Sequence, residues 1–368
     1  MPDLIYKIGI SLIPGIGDIM AKKLIAYCGG VEAVFREKKN ILMKIPGIGE
    51  GLAQAIALQD VLKRAEKEMA FIHKHHIGYS YYLDDDYPHR LRHCADSPVI
   101  FFYRGTVDFN YPKIASIVGT RQATPYGRDL CNQLVDELCR RDHHPIIVSG
   151  LAYGIDICAH RAALRNRLPT IAVLGHGISQ IYPAAHTDTA REIVREGGAL
   201  LTDFLSDTPI DRNNFVRRNR LIAGLSDFTV VVESREKGGA LVTADIANSY
   251  NRDVFAFPGR LSDPCSAGCN RLIKTHRASL LQSVEDIEYL MNWDQKTVKK
   301  IPVQQEIFPH LSPQEEAVLK YLKEHRESSI DELSFSLKMP ISEVSITLLN
   351  LELEGNVRSL PGKMYQAV

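Results

Sequence analysis

Short apolar runs alternate with helical patterns between about residues 113 and 290. Each run is four or five residues long and is followed by glycine, proline or polar residues. Such runs are typical of strands that are buried on both faces of a parallel sheet, with the intervening helices covering the sheet. Strands are predicted at 114–118, 145–149, 170–174, 199–202, 228–232 and 253–257.

Residues 1–80 have a helical pattern and contain an internal repeat. Leu-Ile-Pro-Gly-Ile-Gly begins at Leu12, and Lys-Ile-Pro-Gly-Ile-Gly begins at Lys44. The repeat predicts tandem helix-hairpin-helix motifs, in which glycine brings the backbone close to a phosphate and the next helix offers free N–H groups. Such hairpins also serve as packing modules, and the balance of 11 Lys+Arg against 8 Asp+Glu supports a DNA contact only weakly.

The C-terminal segment opens with Ser312-Pro313-Gln314-Glu315, an N-cap with proline at the first helical position and glutamate at the third. Further helix starts at Ser329 and Ser342 and a hairpin around Pro361-Gly362 predict a winged helix. Residues 80–112 are predicted to be a connecting strand-and-turn segment. The predicted organisation is a helix-hairpin-helix (SAM-like) domain at 1–80, an extended Rossmann-like domain at 81–290, a polar linker at 291–310 and a winged helix at 311–368.

Composition limits the classes of function. The chain has 44 Lys+Arg and 44 Asp+Glu, so a surface for nucleic acid must be local. Its seven cysteines are scattered and are expected to be free thiols without a metal site. Residues 1–11 do not resemble a signal peptide and no stretch of about 18 apolar residues occurs. We therefore expect a cytoplasmic protein without a membrane span.

Glycines recur where the predicted strands end and the helices begin. This geometry gathers backbone N–H groups and helix N-termini into a rim that suits phosphate, to which Arg121, Arg218 and Arg220 can add charge-assisted bonds. No G-x-G-x-x-G run with a following acidic residue and no G-x4-G-K-[ST] run occurs. A dinucleotide cofactor and a P-loop ATPase are therefore disfavoured, and no cofactor is predicted.

The motifs of this segment, in order, resemble those of the DNA-processing protein A (DprA/Smf) family. They are Gly119-Thr120-Arg121, Ser149-Gly150-Leu151-Ala152-x-Gly154-Ile155-Asp156-x-x-Ala159-His160, Tyr182-Pro183, Arg218-Asn219-Arg220-x-Ile222-Ala223-Gly224-Leu225 and Asp253-Val254-Phe255-Ala256-x-Pro258-Gly259. The resemblance implies a non-catalytic homodimer that binds single-stranded DNA and loads the RecA recombinase onto it during natural transformation.

The resemblance also implies which residues bind DNA. Arg121 is expected to contact phosphate together with the loops at 150–154 and 175–177. Some members have a lysine after the Tyr-Pro pair, where this chain has Ala184, so His186 or a neighbouring arginine is the expected substitute. The predicted DNA-binding set is Gly119, Arg121, Ser149, Gly150, Gly154, Gly175, Gly177, His186, Arg218, Asn219, Arg220, Gly238, Gly239 and Thr243.

A dimer interface is expected at 270–281, because this segment continues the edge of the predicted sheet. Its candidate residues are Asn270, Leu272, Ile273 and Leu280. A helix and strand buried at the edge of the subunit's own sheet explain the same pattern equally well.

Two other functions compete with this interpretation. Asp156 and His160, four apart on one predicted helix, are an acid–base pair in a nucleotide-hydrolysing enzyme, or a helix cap and a polar packing contact otherwise. No glutamate closely follows the Gly238–Thr243 run as such hydrolases require. A duplex-binding regulator is disfavoured because residues 311–368 have 6 Lys+Arg against 9 Asp+Glu, and 342–354 has three Glu and no Lys or Arg.

Overall fold

The computed structural model describes residues 3–293 and 311–368. These residues form two units: one holds 3–250 and 254–280, the other 251–253, 281–293 and 311–368. The linker predicted at 291–310 begins on a helix that ends at Met291, and its positions 294–310 lie outside the described residues. Throughout the described part of the chain, no helix is both long and apolar enough to cross a membrane.

The N-terminal segment is helical, as predicted. Both copies of the repeat form the same turn, in which the second isoleucine donates a backbone hydrogen bond to the isoleucine three residues earlier, at 3.1 and 3.0 Å. Gly15 and Gly47 have φ of 81° and 95°, a region that glycine adopts without strain. The helices are α1 Asp3–Leu12, α2 Asp18–Cys28, α3 Val31–Arg36, α4 Lys39–Leu42, α5 Glu50–Leu58 and α6 Val61–His75.

Each hairpin glycine faces the second helix of the other hairpin. A Cβ on Gly47 would lie 2.7 Å from Met20 of α2, and a Cβ on Gly15 would lie 3.1 Å from Leu52 of α5. Lys22 of α2 also makes an internal contact, because its ammonium group donates a 2.6 Å hydrogen bond to the hydroxyl of Ser97. These contacts favour the packing role of the hairpins over a DNA contact.

All six predicted strands are confirmed, with ends within one residue of the prediction. Two further strands come from the segment before them and one comes after. The strands are β1 Gly78–Tyr81, β2 Ile100–Gly105, β3 Ile114–Val118, β4 Ile146–Ser149, β5 Thr170–Val173, β6 Ala199–Thr202, β7 Phe228–Val231, β8 Asp253–Ala256 and β9 Ser279–Leu280. Within the described residues they form one sheet, in the order β1-β2-β6-β5-β4-β3-β7-β8-β9.

The centre of this sheet is parallel, with β6, β5, β4, β3 and β7 running in one direction. Residues 80–112 were predicted to be a connecting strand-and-turn segment, and their strand β2 pairs antiparallel with β6 and so extends the same sheet. The chain moves outward from β3 to β6 and then returns to place β7 on the other side of β3. This reversal makes the carboxyl end of β3 the point where a crevice forms in such sheets.

Helices cover the sheet, and the strands β3 to β7 are buried along their whole length. Two of these helices, α8 and α9, pack against each other. The helices are α7 His89–Arg92, α8 Pro125–Arg140, α9 Ile155–Arg165, α10 Thr187–Arg195, α11 Arg212–Leu225, α12 Gly239–Ser249 and α13 Ala267–Lys274, with a 3₁₀ turn at Ala184–His186.

The second unit contains the predicted winged helix with its own apolar core. The predicted capping box is present. The hydroxyl of Ser312 accepts a hydrogen bond from the backbone N–H of Glu315, and the carboxylate of Glu315 accepts one from the backbone N–H of Ser312. The elements are α14 Val284–Met291, α15 Pro313–His325, β10 Glu327–Ser329, α16 Ile330–Leu337, α17 Ile341–Leu353, β11 Val357–Leu360 and β12 Met364–Ala367. Helix α17 exposes four apolar side chains, Ile341, Ile346, Leu349 and Leu353.

Candidate nucleic-acid interface

The loop after β3 carries Gly119 and Arg121. A Cβ on Gly119 would lie 2.4 Å from Cγ1 of Ile155, so glycine lets this loop rest on the start of α9. The backbone N–H of Thr120 donates to the carbonyl oxygen of Glu233 at 2.7 Å, which ties the loop to the end of β7. Arg121 follows with its side chain exposed at the edge of the sheet.

The loop after β4 interlocks with this first loop. Gly154 has φ of 78°, and a Cβ there would lie 2.1 Å from the carbonyl oxygen of Thr120. A Cβ on Gly150 would lie 2.6 Å from the guanidinium of Arg218 and from the carboxylate of Asp156. Both predicted glycines are therefore required by close packing of the loops that shape the site.

Arg218 joins the ends of two strands from beneath these loops. Its Nη1 donates to the carbonyl oxygen of Gly150 at 2.8 Å and also to that of Val173, and the side chain is 3% exposed. Burial lowers the pKa of Arg218 to about 10, although Asp156 opposes that effect. Arg218 therefore contributes positive charge from below the surface, and its predicted DNA contact is replaced by a structural role.

Asp156 caps the loop, as one of the two sequence interpretations holds. Burial raises the pKa of the Asp156 carboxyl, while Arg218 and hydrogen bonds from the backbone N–H groups of Ala152 and Gly150 lower it. Four residues on, the Nδ1 of His160 lies 2.7 Å from the hydroxyl of Thr170. Burial lowers the pKa of His160 to about 3. The imidazole is a neutral core group, which disfavours the acid–base interpretation.

Three more predicted contacts are corrected because the groups are buried or already hydrogen-bonded within the subunit. The hydroxyl of Ser149 is fully buried and donates to the carbonyl oxygen of Ile117 at 2.7 Å, so it braces the sheet. The backbone N–H of Gly177 donates to Thr208 at 3.1 Å and is not free for phosphate. Gly175 is buried, and a Cβ there would lie 2.7 Å from the ring of Phe215.

His186 does not take the place of the family lysine. It is 4% exposed, its Nδ1 lies 2.7 Å from the carbonyl oxygen of Leu151, and the ring of Tyr153 packs edge-on against it at 4.9 Å between centroids. The predicted DNA contact of His186 is therefore wrong. Its packing instead positions Tyr153, which is 49% exposed.

Arg218 and Arg220 have separate roles although both belong to one motif. Arg220 is 7% exposed and pairs with Asp18 of α2 at 3.0 Å and with Asp203. Nearby carboxylates raise its pKa against the opposing effect of burial. The predicted DNA contact of Arg220 is therefore wrong, and the residue fastens the hairpin helices to the sheet.

The start of α12 is open. Gly239 is exposed and a Cβ there would meet no atom within 4 Å, while Gly238 precedes it in extended conformation. The side chains of Asn219 and Thr243 lie beneath, 3.5 and 3.4 Å from the carbonyl oxygen of Gly239. The N-terminus of a helix of this length attracts anions.

These loops surround a cleft of about 380 Å³, hereafter the basic cleft. Five of its described lining residues are cationic, Arg121, Arg212, Arg218, Arg235 and Lys237, and one is a carboxylate, Asp156. All of these cations except Arg218 are exposed. The predicted residues that also line it are Gly119, Asn219, Gly238, Gly239 and Thr243. Such an excess of cations around free N–H groups suits a polyanion.

An aromatic slot adjoins the basic cleft and shares Arg121 and Phe215 with it. Tyr153 and Tyr182 form its other walls, and Tyr182 is 41% exposed. The rings of Tyr182 and Phe215 lie 5.7 Å apart, and the guanidinium of Arg121 lies 5.7 Å from the Phe215 ring centroid. Exposed rings beside cations are the features on which unpaired bases stack.

Three of these cations were not predicted from the sequence. Arg212 opens α11, whereas Arg235 and Lys237 lie in the loop between β7 and α12. All three are distant from Arg121 along the chain, and Arg235 and Lys237 meet it because β7 lies beside β3. The basic pair around Glu236, directly before Gly238, is the sequence signal from which two of them could have been predicted.

The predicted dimer residues divide into buried and exposed groups. Leu272 is 1% exposed within the subunit's own core, which rules out an interface contact for its side chain. Asn270 is bound to both backbone groups of Gly259, at 3.1 and 3.0 Å. Ile273 packs partly buried against the core, whereas Leu280 is 42% exposed on the edge strand β9. Leu280 and the edge strand are what remains of the predicted interface.

Residues 78–292 match the family model for DNA recombination-mediator protein A, and residues 306–363 match that for the DprA winged helix domain. The chain belongs to the DNA recombination-mediator protein A family. Protein Smf from Synechocystis is 30% identical and similar over 98% of both chains. The resemblance inferred from the motifs is thereby confirmed.

Two solved structures of the family are similar to this chain. DNA processing protein A from Streptococcus pneumoniae is 29% identical with a TM-score of 0.67, over 77% of this chain and 97% of that one. DNA processing protein A from Helicobacter pylori, whose structure concerns its single-stranded DNA binding mode, is 28% identical with a TM-score of 0.52, over 60% of this chain and 98% of that one. Both support the predicted Rossmann-like fold.

Proposed function

We propose that the basic cleft and the aromatic slot together bind single-stranded DNA. The observation that carries this proposal is the junction of the two at Arg121, which can reach a phosphate in the cleft while the neighbouring ring of Phe215 stacks a base. Because the cations and N–H groups recognise backbone and the rings accept any base, binding is expected to be independent of sequence. The single-stranded DNA binding of the Helicobacter pylori relative supports this assignment.

A single strand fits this site better than a duplex does. Bases must leave their stack to reach Tyr182 and Phe215, which costs a duplex its pairing and stacking energy and costs a single strand little. The cleft is also small, at about 380 Å³, so it accommodates individual nucleotides. Duplex DNA should therefore compete poorly.

Binding without turnover is supported by the surroundings of the acidic group at the cleft. Among the described residues that line the cleft, Asp156 is the sole carboxylate, and it is buried against Arg218 and two backbone N–H groups. Its carboxyl group is thus engaged by the protein's own chain beneath the loops. We propose that the protein acts by holding the strand and not by cleaving it.

We further propose that the bound strand is handed to a RecA recombinase, as the mediator function of the family implies, and that this serves the uptake of DNA during natural transformation.

A homodimer would place two basic clefts on one strand and raise the affinity without new contacts. The edge strand β9 with exposed Leu280 is the surface that we propose for it, since an unpaired edge is a ready partner for another chain.

Fluorescence anisotropy with a labelled oligonucleotide tests the central proposal. Single-stranded DNA should bind tighter than duplex, and the logarithm of the binding constant should fall with the logarithm of salt concentration. Four exposed cations in contact with phosphates would give a slope of about −3, at about −0.7 for each phosphate on a single strand. Equal competition by duplex, or a slope near zero, would refute it.

A further inference from the structure

Two cysteine side chains meet between α8 and α9, away from the basic cleft. Cys131 of α8 is fully buried, whereas Cys158 of α9 is half-buried and reaches the surface. The two thiols are hydrogen-bonded to each other. Cys158 Sγ also lies 3.5 Å from Oδ1 of Asn132 and 3.7 Å from the carbonyl oxygen of Arg128, so it is held on the α8 surface beside Cys131.

The surroundings of the two thiols differ in charge. The guanidinium groups of Arg165, Arg128 and Arg161 all favour a negative charge on Cys158. The hydrogen bond from Cys131 lowers the pKa of Cys158, and the arginines add to this effect while partial burial opposes it. The same hydrogen bond, together with burial, raises the pKa of Cys131. Cys158 is therefore the more acidic of the two thiols, and its reactive thiolate is the one that reaches the surface.

From this arrangement we infer that Cys158 and Cys131 form a thiol modification site that reacts with peroxide-class oxidants and closes to an intramolecular disulfide. A nucleophilic, accessible thiolate next to a second thiol is the arrangement in which oxidation ends as a disulfide. The inference is independent of the DNA-binding proposal, because neither sulfur lines the basic cleft or the aromatic slot.

The reaction has two steps. The Cys158 thiolate attacks one oxygen of hydrogen peroxide, the O–O bond breaks, and the sulfur becomes a sulfenic acid while hydroxide leaves. The Cys131 sulfur then attacks the Cys158 sulfur, an S–S bond forms, and the S–OH bond breaks, with the Cys131 proton and the hydroxyl leaving as water. The two cysteines lose two electrons in total, and the peroxide is reduced to water and hydroxide.

Peptide mass spectrometry of the full chain tests this site. The reduced protein is treated with a small molar excess of hydrogen peroxide, denatured, alkylated and digested. We expect one linked pair of peptides, containing Cys131 and Cys158, that dithiothreitol separates again. Without oxidant, Cys158 should be alkylated several-fold faster than Cys139, a half-buried cysteine of α8 whose pKa is raised by burial and by Asp136.

Variants separate the two steps. Cys131→Ser should leave Cys158 as a sulfenic acid that dimedone traps, whereas the matched control Cys139→Ser should form the same disulfide as the wild type. Oxidation that leaves both cysteines open to alkylation, or that links either one to a different cysteine, would overturn the inference. The wild-type peptide map decides the question by itself if the Cys131→Ser chain does not fold.

Discussion

The guanidinium of Arg218 and the carbonyl oxygen of Gly150 form a 2.8 Å hydrogen bond beneath the basic cleft. This bond fixes the position where β4 ends, and the glycine is required because a Cβ there would lie 2.6 Å from the guanidinium. The same arginine also binds the end of β5 and faces Asp156. One buried cation thus joins the ends of β4 and β5 beneath the basic cleft.

Replacing Arg218 by methionine should destabilise the fold strongly. The variant removes hydrogen bonds from two buried carbonyl groups and the positive charge that faces Asp156, and each hydrogen bond lost from a charged group costs about 1.5–3 kcal/mol. Urea unfolding followed by circular dichroism measures the change. Arg195→Met, at an exposed arginine of α10 paired with Glu192 and Glu196, should change the free energy of unfolding by less than about 0.5 kcal/mol. Equal effects of both variants would contradict the role of Arg218.

Arg121→Ala should weaken binding of single-stranded DNA without destabilising the protein. Its side chain is exposed and aimed at the cleft, so the loss is that of a charge-assisted hydrogen bond, about 1–3 kcal/mol. The salt slope in the anisotropy experiment should become shallower by about 0.7. Arg195→Ala is the matched control and should bind as the wild type does. Unchanged binding by the Arg121 variant would move the DNA site away from this cleft.

Tyr182→Leu tests the aromatic slot separately from the charges. The substitution removes an exposed ring that stacks on a base, which should cost about 1–3 kcal/mol of affinity for single strands. Because no charge is removed, the salt slope should stay at the wild-type value. A changed slope, or an unchanged affinity, would show that bases do not enter the slot.

The strands and hairpins were predictable because each depends on a local pattern. Buried strands appear as continuous apolar runs, and the Pro-Gly-Ile-Gly turns need glycine at the positions with φ above 80°. The pairing of β2 with β6 was not predictable in this way, because an antiparallel neighbour nearly a hundred residues away leaves no local mark on residues 100–105. Register between distant strands is decided by the assembled core.

The site was predicted in outline and corrected in detail. Glycine loops and Arg121 were found because they follow strand ends, but the Arg218-Asn219-Arg220 motif was taken as one surface. Residues two apart on a helix are about 200° apart around its axis, so Arg218 and Arg220 face different neighbours. The prediction for His186 was wrong for a related reason. It rested on the short distance along the chain from His186 to position 184, where some family members have a lysine, whereas the imidazole packs inward.

The winged helix should not bind duplex DNA. Residues 311–368 have an excess of three negative charges, and α17, which occupies the position of a recognition helix, exposes Ile346, Leu349 and Leu353 instead of basic side chains. The domain has its own core, so residues 311–368 can be produced separately. Anisotropy with a labelled duplex should detect no binding at concentrations where the full chain binds single strands. Tight duplex binding by this fragment would contradict the prediction and show that the winged helix binds DNA despite its net negative charge.

His160 should make the fold sensitive to mild acid. Its pKa falls to about 3 in the folded protein because the imidazole is fully buried, whereas an unfolded chain takes up the proton near pH 6.5. Between these values the unfolded state binds more protons, so stability is lost as the pH falls, by up to about 1.4 kcal/mol per pH unit. His160→Gln removes this contribution, and the free energy of unfolding should then fall less between pH 7 and pH 5 than in the wild type. The exposed His144→Gln serves as control and should keep the wild-type slope. If His160→Gln retains that slope, acid sensitivity originates at another group.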